Sequence, residues 1–272
     1  MKMKRANGEN YSRVKNLVMR KNLNTICTSG NCPNIGECWN HGTATFMILG
    51  NICTRRCKFC SVSAGRPLPV DWLEPDRLAE AVKSMGVKHG VITSVDRDDL
   101  EDLGAGLWTA AIRKVKEVNP QTTLEVLIPD FQGRRELVQR IMDEKPEVIS
   151  HNLETVERLS RLIRSKARYN ISLEVLQYIA QSGTTAKSGI MLGLGETEEE
   201  VLQTMDNLLA AGVKVMTIGQ YLQPTLKHMP VHAYIPPELF DKYHEIGLNK
   251  GFAVVESSPL VRSSYHAEKH IL

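Results

Sequence analysis

The sequence predicts an α/β chain built as a partial (β/α)6 barrel of TIM-like type, with a cysteine-rich extension before it and a tail after it that closes the site. Three observations predict this class. Short apolar runs rich in β-branched residues recur without clean alternation, as strands buried on both faces of a parallel sheet do. Between them lie stretches of helical apolar periodicity that end at glycine. The 272 residues are about what one barrel-like domain needs. The expected division is an N-terminal extension over 1–44, a core over 45–225 and a C-terminal extension over 226–272, forming one compact domain.

The extension is polar and irregular, with one short helix expected around residues 13–21. It carries Cys27, Cys32 and Cys38 in a C-x4-C-x5-C spacing closed by Trp39, and Gly30, Pro33, Asn34 and Gly36 supply the turns a thiolate-lined loop needs. Two readings of this triad stand open on spacing: a zinc site with His41 as fourth ligand, or three corners of an iron–sulfur cluster.

Strands are expected at 45–52, 89–95, 122–128, 147–150, 188–192 and 213–221. Leu78, Ala81, Val82 and Met85 form one helical stripe stopped by Gly86, and Val201, Leu202, Met205, Leu208 and Leu209 form another stopped by Gly212. Both stripes read as core. Lys187, at a strand start, reads as a solvated charge. A last helix is expected near 237–250. The aromatic and specific segment after it reads as a tail held against the fold rather than a loose end.

In a parallel β/α fold the carboxyl ends of the strands build the active site. The segments expected there are 53–60, 93–100 (TSVDRDDL), 129–132, 151–154 (HNLE), 193–197 and 219–224. The glycines of 193–197 suit a close backbone approach, but Glu198, Glu199 and Glu200 would repel a phosphate. Thr197 and Glu200 read as a capping box that starts a helix.

The first of these segments, NICTRRCKFC, places Cys53, Cys57 and Cys60 in a C-x3-C-x2-C spacing with Phe59 before the last cysteine. Three thiolates on one tight loop hold three irons of a cubane and leave the fourth open for chemistry. A structural zinc loop is the alternative.

Composition bounds the rest. Hydrophobic content of 42% and charged content of 24% are ordinary for a globular protein, and a net charge of +3 argues against nucleic acid as the main partner. The basic start, Lys2, Lys4 and Arg5, has no apolar run behind it, so no secretory signal is expected. The longest apolar stretch, near 45–52, is too short to span a bilayer. A cytoplasmic location is expected, with no membrane partner. All six cysteines fall between positions 27 and 60, which suits metal or redox sites and not a disulfide framework.

With these motifs in view, the chain resembles the lipoyl synthase family of radical S-adenosylmethionine (SAM) enzymes from about Gly8 to its end. The carrying motifs are 27–39 (ending CPNIGECW), 42–60 (GTATFMILGNICTRRCKFC), 93–100, 151–156 (HNLETV), 187–197 (KSGIMLGLGET), 218–224 (IGQYLQP) and 262–265 (RSSY). Two departures stand out. Leu103 occupies the place of the first glycine of a Gly-Gly pair, and Ser258 stands where glycine precedes Pro259.

The resemblance implies insertion of two sulfur atoms at C6 and C8 of an octanoyl chain carried on a lysine of a lipoyl carrier domain or H protein. It implies two 4Fe-4S clusters and SAM as cosubstrate. The cluster on Cys53, Cys57 and Cys60 cleaves SAM, and the resulting radical abstracts hydrogen. An auxiliary cluster on Cys27, Cys32 and Cys38, with the oxygen of Ser264 (or, second, Ser263) as fourth ligand, is the sulfur donor. Asp96, Arg97, Asn152 and Glu154 are the expected SAM-binding groups, with an Arg97–Asp99 ion pair as the alternative for Arg97. Arg262 is placed to bind a carboxylate or orient the tail. A low-potential electron donor and a cluster-repair protein are the further partners implied. Another radical SAM activity, or a zinc-binding or cluster-carrying interaction protein, are the competing classes.

Overall fold

The computed structural model describes residues 7–272, and the basic start, Lys2, Lys4 and Arg5, lies outside them. The chain divides into two compact units, one of residues up to 55 with 61–129 and 139–146, the other of 56–60, 130–138 and 147–272.

The first unit opens with helix α1 (Glu9–Arg20), which presents Val14 and Val18 inward. A two-residue strand β1 (Asn24–Thr25) runs antiparallel to β2 (Thr45–Ile48), pairing Thr25 with Phe46. Two short helices, α2 (Ile26–Ser29) and α3 (Ile35–Asn40), lie between them in sequence. Every residue of β2 is buried, as expected for a strand covered on both faces.

The sequence reading carried this strand on to residue 52. It stops at Ile48, because Leu49 and Gly50 both take left-handed conformations with φ of 69° and 90°. The chain resumes as β3 (Ile52–Cys53), paired parallel with β4 (Ser63–Ala64). What holds the break is Glu74, at the start of helix α4 (Glu74–Met85). Its carboxylate is 4% exposed and accepts the Leu49 N–H at 2.8 Å.

β2 pairs parallel with β5 (His89–Ser94), and β5 with β6 (Thr123–Leu127). Helix α5 (Ala105–Val118) packs against α4. Leu78, Ala81, Val82 and Met85 are all buried, and Gly86 ends α4 at φ 64°. Trp108 on α5 is fully buried, and its indole N–H donates to Ser94 Oγ at 3.2 Å. Truncating such a side chain costs about 3–5 kcal/mol. Leu103, the residue standing in a glycine's place, adopts φ 53°, the left-handed region that costs a branched side chain about 1–2 kcal/mol. Asp102 holds this turn by accepting the Gly104 and Gly106 N–H groups at 3.0 and 2.7 Å. Helix α6 (Arg135–Asp143) begins among the second unit's residues and ends among the first's.

The second unit is parallel throughout: β7 (Val148–Ser150), β8 (Thr185–Leu192), β9 (Val215–Gln220) and β10 (Val254–Ser257) pair in that order. The helices are α7 (Glu157–Ile163), α8 (Tyr169–Gln181), α9 (Glu198–Ala210) and α10 (Pro237–Lys250). The capping box at Thr197 and Glu200 forms as read from the sequence. Strand β10 was not read: Val254 to Ser257 align with Val215 to Ile218 of β9, so the segment after α10 enters the sheet before becoming a tail. Lys187 also departs from expectation. It lies on β8, is fully buried, and its Nζ meets His270 Nδ1 at 2.8 Å. The position sits in mid-strand, where both faces are covered.

Burial pushes the Glu74 carboxyl up to about 7, against the opposing pull of the Leu49 N–H and with Asp71 adding to the rise. Between the ordinary carboxyl value of 4.5 and that value, the native chain holds a proton that the unfolded chain has released. Stability therefore falls as pH rises through this window and is flat above it. The urea stability of the wild type, compared with Glu74→Gln, should fall by about 2–3 kcal/mol between pH 5 and pH 8. Parallel curves for the two proteins would exclude this role.

Candidate functional site

None of the six cysteines is in a disulfide. In the first group read from the sequence, Cys27 lies buried on α2, whose N-cap Thr25 accepts the Thr28 N–H at 3.3 Å. The Cys32 N–H returns to the Cys27 carbonyl at 3.0 Å. Cys38 sits on α3, and its carbonyl receives the Thr43 N–H and hydroxyl at 2.9 and 3.0 Å. α3 is seated on α1 through the Tyr11–Trp39 ring pair, 5.2 Å between centroids.

The three sulfurs share one electrostatic environment. Burial pushes the Cys27 thiol up to about 11, with the neighbouring Cys32 adding to the rise. Burial pushes Cys38 up to about 12, and Cys27, Cys32 and Glu37 add to it. Such mutual effects require the sulfurs to lie close together. The Trp39 indole nitrogen is buried with no partner among the described residues, yet it is near enough to Cys27 to draw its titration down. Neighbouring thiols and a buried N–H donor fit an anionic cluster with sulfide edges. His41, the fourth ligand of the zinc reading, is exposed at the end of α3. Among the described residues no three His, Cys, Asp or Glu side chains converge on a point that would hold a single metal ion. Thiols at separate corners of a cubane need no such convergence.

In the second group Cys53 belongs to the first unit. Its sulfur faces the Asp96 N–H at 3.3 Å and the Arg55 N–H at 3.4 Å, and lies 3.7 Å from Asp96 Oδ2. Two amide donors and one carboxylate oxygen therefore surround this sulfur. The surrounding backbone is tied to the loop after β5. Thr54 donates its N–H and hydroxyl to the Asp96 carbonyl at 3.0 and 2.9 Å, and its hydroxyl accepts the Asp98 N–H at 3.0 Å. Arg55 is buried and forks onto Asp98 at 2.9 and 2.8 Å, with Asp96 Oδ1 at 3.4 Å. Asp96 thus sits beside Cys53. Arg97, itself buried, instead forms a bidentate pair with the exposed Asp99 at 2.8 and 2.9 Å, which holds Asp99 below the usual carboxylate range.

Cys57 and Cys60 belong to the second unit, where segments on either side secure them. On one side Arg56 N–H donates to Ser165 Oγ at 3.1 Å, Cys57 Sγ lies 3.7 Å from the same oxygen, and Lys58 N–H donates to the Ile163 carbonyl at 2.8 Å. On the other, Met229 N–H donates to the Lys58 carbonyl at 2.9 Å, and His228 Nε2 lies 2.9 Å from the Cys60 carbonyl. The sequence reading missed Ser165 and His228. Nothing local marks either; only their pairing with the cysteine loop does.

The remaining expected groups lie in the same unit. Asn152 Oδ1 accepts from Ser263 Oγ at 3.3 Å. Glu154 takes φ 68° while its backbone joins β8. Burial pushes its carboxyl up, against the pull of Arg164 and Asn152; the residue keeps some accessible surface, but its carboxylate is densely surrounded. Arg164 in turn donates to Ser172 Oγ at 2.8 Å. The 193–197 turn is closed on itself: Glu196 accepts the Gly193 and Leu194 N–H groups at 2.5 and 2.9 Å. A side chain on Gly193 would stand 2.3 Å from Gln220 Nε2, so the close approach there is made by the protein's own Gln220. Ser264 follows a stretch anchored by Gln220 N–H to the Pro259 carbonyl at 3.2 Å and Ser258 N–H to the Ile218 carbonyl at 3.2 Å. The tail beyond it ends in the Lys187–His270 contact.

The family model for the radical SAM superfamily matches residues 47–208. Curated relatives named lipoyl synthase match almost throughout. That of Parabacteroides distasonis is 60% identical over 271 residues, covering 100% of this chain and 96% of the relative. That of Bacteroides fragilis is 62% identical over 263 residues, covering 97% and 91%, and that of Treponema denticola is 60% identical over 272, covering 100% and 94%. Among solved structures, methylornithine synthase superposes with a TM-score of 0.58 at 13% identity over 78% of this chain and 70% of its own. Streptococcus suis SuiB bound to S-adenosylmethionine superposes with a TM-score of 0.64 at 11% identity over 93% and 58%. At these identities the two structures speak to fold alone.

With values near 11 and 12, Cys27 and Cys38 carry far less thiolate at pH 8 than an ordinary cysteine near 8.5. In the metal-free protein both should react with iodoacetamide at least ~10-fold more slowly than free cysteine, as read by peptide mass mapping. Alkylation at the free-thiol rate would contradict this environment.

Proposed function

We propose that this chain, which belongs to the lipoyl synthase family of the radical SAM superfamily, inserts two sulfur atoms at C6 and C8 of an octanoyl chain attached to a lysine of a carrier domain or H protein. The observation that carries the reading is the first triad. Cys27, Cys32 and Cys38 form a close thiol group of their own, apart in sequence from the 53–60 loop, beside a buried indole N–H. A radical SAM enzyme that only generates a radical has no need of a second such group. One that must deliver sulfur does.

When bound, a cubane with one thiolate-free iron and SAM supply a carbon radical able to take hydrogen from an unactivated C–H bond, which side-chain acids and bases cannot do. The chain's residues hold and shape that chemistry. Cys53, Cys57 and Cys60 are the three ligands of the first cluster. The Asp96 and Arg55 amides point at the Cys53 sulfur. Asp96, Asn152 and Glu154 bind the ammonium and hydroxyl groups of SAM. Arg97 serves through Asp99, whose pairing keeps the 96–99 turn in shape.

Cys27, Cys32, Cys38 and Ser264 hold the auxiliary cluster. A serine oxygen is harder and more readily displaced than a thiolate, which suits a cluster that is consumed as sulfur donor. Ser263 donates to Asn152, and the family resemblance assigns the ligand role to its neighbour Ser264. The partners are the octanoylated carrier, a low-potential electron donor and a protein that rebuilds the auxiliary cluster. We place the reaction in the cytoplasm. Among the described residues no helix is long and apolar enough to cross a membrane.

Anaerobic reconstitution should load about eight irons per chain. With SAM, dithionite and an octanoyl-lysyl peptide, mass spectrometry should show a gain of two sulfurs. The Ser264→Cys variant should keep its iron and still release 5′-deoxyadenosine while losing at least ~10-fold in sulfur transfer, about 1.4 kcal/mol on that step. Full sulfur transfer by Ser264→Cys would remove the serine from the ligand set. Zinc in place of iron would remove the reaction.

A further inference from the structure

The segments that secure the Cys57–Cys60 turn share a charge pattern. Residues 56–60, 158–168 and 221–237 contain no Asp or Glu, although the whole chain is nearly balanced, with 34 Lys and Arg against 31 Asp and Glu. The three segments are joined by the hydrogen bonds of Arg56 to Ser165, Lys58 to Ile163, Met229 to Lys58 and His228 to Cys60. Arg56, Lys58 and Lys227 therefore lie close to that turn, and all three are exposed.

Several surface cations are answered by acids: Lys21 by Glu80, Arg77 by Asp71, Arg113 by Glu144, Arg158 at the start of the second segment by Glu200, Lys242 by Glu198 and Lys250 by Asp206. Among the described residues no carboxylate pairs with Arg56, Lys58 or Lys227. Two leucines stand in the same segments, Leu162 at 45% and Leu226 at 97% exposure. A leucine that exposed gains nothing from the fold that carries it.

We propose that this face is the docking surface for a small acidic one-electron carrier protein that reduces the cluster held by Cys53, Cys57 and Cys60. The inference rests on the proposed reaction and deepens it by assigning the electron donor its place on the chain. Uncompensated like charge around a few apolar side chains is the makeup of a transient encounter surface, which speeds association by long-range attraction and releases quickly. Its position fits that use. Arg56 and Lys58 alternate with the ligand cysteines, and Cys57 is partly exposed beside them. The step balances simply: the donor gives up one electron and the cluster takes it, with no atom transferred.

The test uses the reconstituted chain and a flavodoxin as probe, under anaerobic conditions. Flavin fluorescence measures the affinity of the oxidised probe, and stopped-flow absorbance measures electron transfer from its hydroquinone. Wild-type affinity should fall at least ~10-fold between 50 and 300 mM salt. Lys58→Glu with Lys227→Glu should weaken it at least ~10-fold and slow electron transfer similarly. Reduction by dithionite should stay within about twofold in the same variants, because a small reductant needs no docking face. Leu226→Glu with Lys227→Glu, which leaves the cysteine loop untouched, should show the same pattern if Lys58→Glu prevents cluster loading. Lys88→Glu, in the other unit, should change nothing.

Unchanged probe affinity in the variants, or salt-independent binding, overturns the proposal. So does a raised KM for the octanoylated carrier in the dithionite assay with probe affinity intact, which would assign the face to the substrate protein. Failure of the reaction itself would show separately, as no sulfur gain by the wild type with dithionite, while the binding titration still answers for the surface.

Discussion

A guanidinium is among the least willing groups to leave water, and this chain buries one in the middle of its cysteine loop. Arg55 stands between Cys53 and Cys57, forks onto Asp98 and comes within 3.4 Å of Asp96. A buried pair of this kind adds little net stability over an apolar substitute, but stripping one partner from it costs about 3–5 kcal/mol. The Cys53 sulfur takes its amide donors from Arg55 and Asp96, the residues that this ion pair fixes. One electrostatic commitment therefore sets both the loop and the dipoles around its first sulfur. Two of the polar groups after β5 are thus spent on the loop, Asp98 on Arg55 and the Asp96 backbone on Thr54, while Asp99 is spent on Arg97 of its own segment.

Much of this was legible in the sequence because it rests on local rules. The strands at β5, β6 and β9 and the helices α4, α9 and α10 announce themselves through burial periodicity and glycine stops. The capping box at Thr197 is a four-residue pattern with one geometric outcome. The cysteine groups are legible because their spacing permits few other uses. Features that depend on partners distant in the chain were not legible. The end of β2 depends on a carboxylate 25 residues on, and a run of apolar residues gives no sign of it. Lys187 looks solvated as a charge near a strand start, yet β8 begins two residues earlier and closes over it, with His270 brought from 83 residues away. Strand β10 is four residues long, and only its partner β9 distinguishes Val254 to Ser257 from a tail. Ser165 and His228 are ordinary loop residues until the fold sets them beside Cys57 and Cys60.

The candidate site shows the same division. Identities are local, and arrangement is not. Asp96, Asn152 and Glu154 were all singled out as polar groups after strands. The structure adds that Glu154 holds a left-handed backbone and a poorly solvated carboxylate at once, a combination with a cost that ordinary turns do not carry. Arg97 was singled out too, and the structure pairs it with Asp99, an aspartate two residues away that offers both of its oxygens at hydrogen-bonding distance.

The raised values of Cys27 and Cys38 have a consequence for the metal-free pocket. Two buried sulfurs that prefer to be neutral exchange protons for metal: binding expels protons, and loss takes them back. Without metal both are uncharged and weakly nucleophilic. They then carry no stored negative charge to strain the fold, and they are slow to oxidise or to capture stray metal. Under the proposed reaction, in which a cluster held here is consumed, the chain would wait in that state for the cluster to be rebuilt.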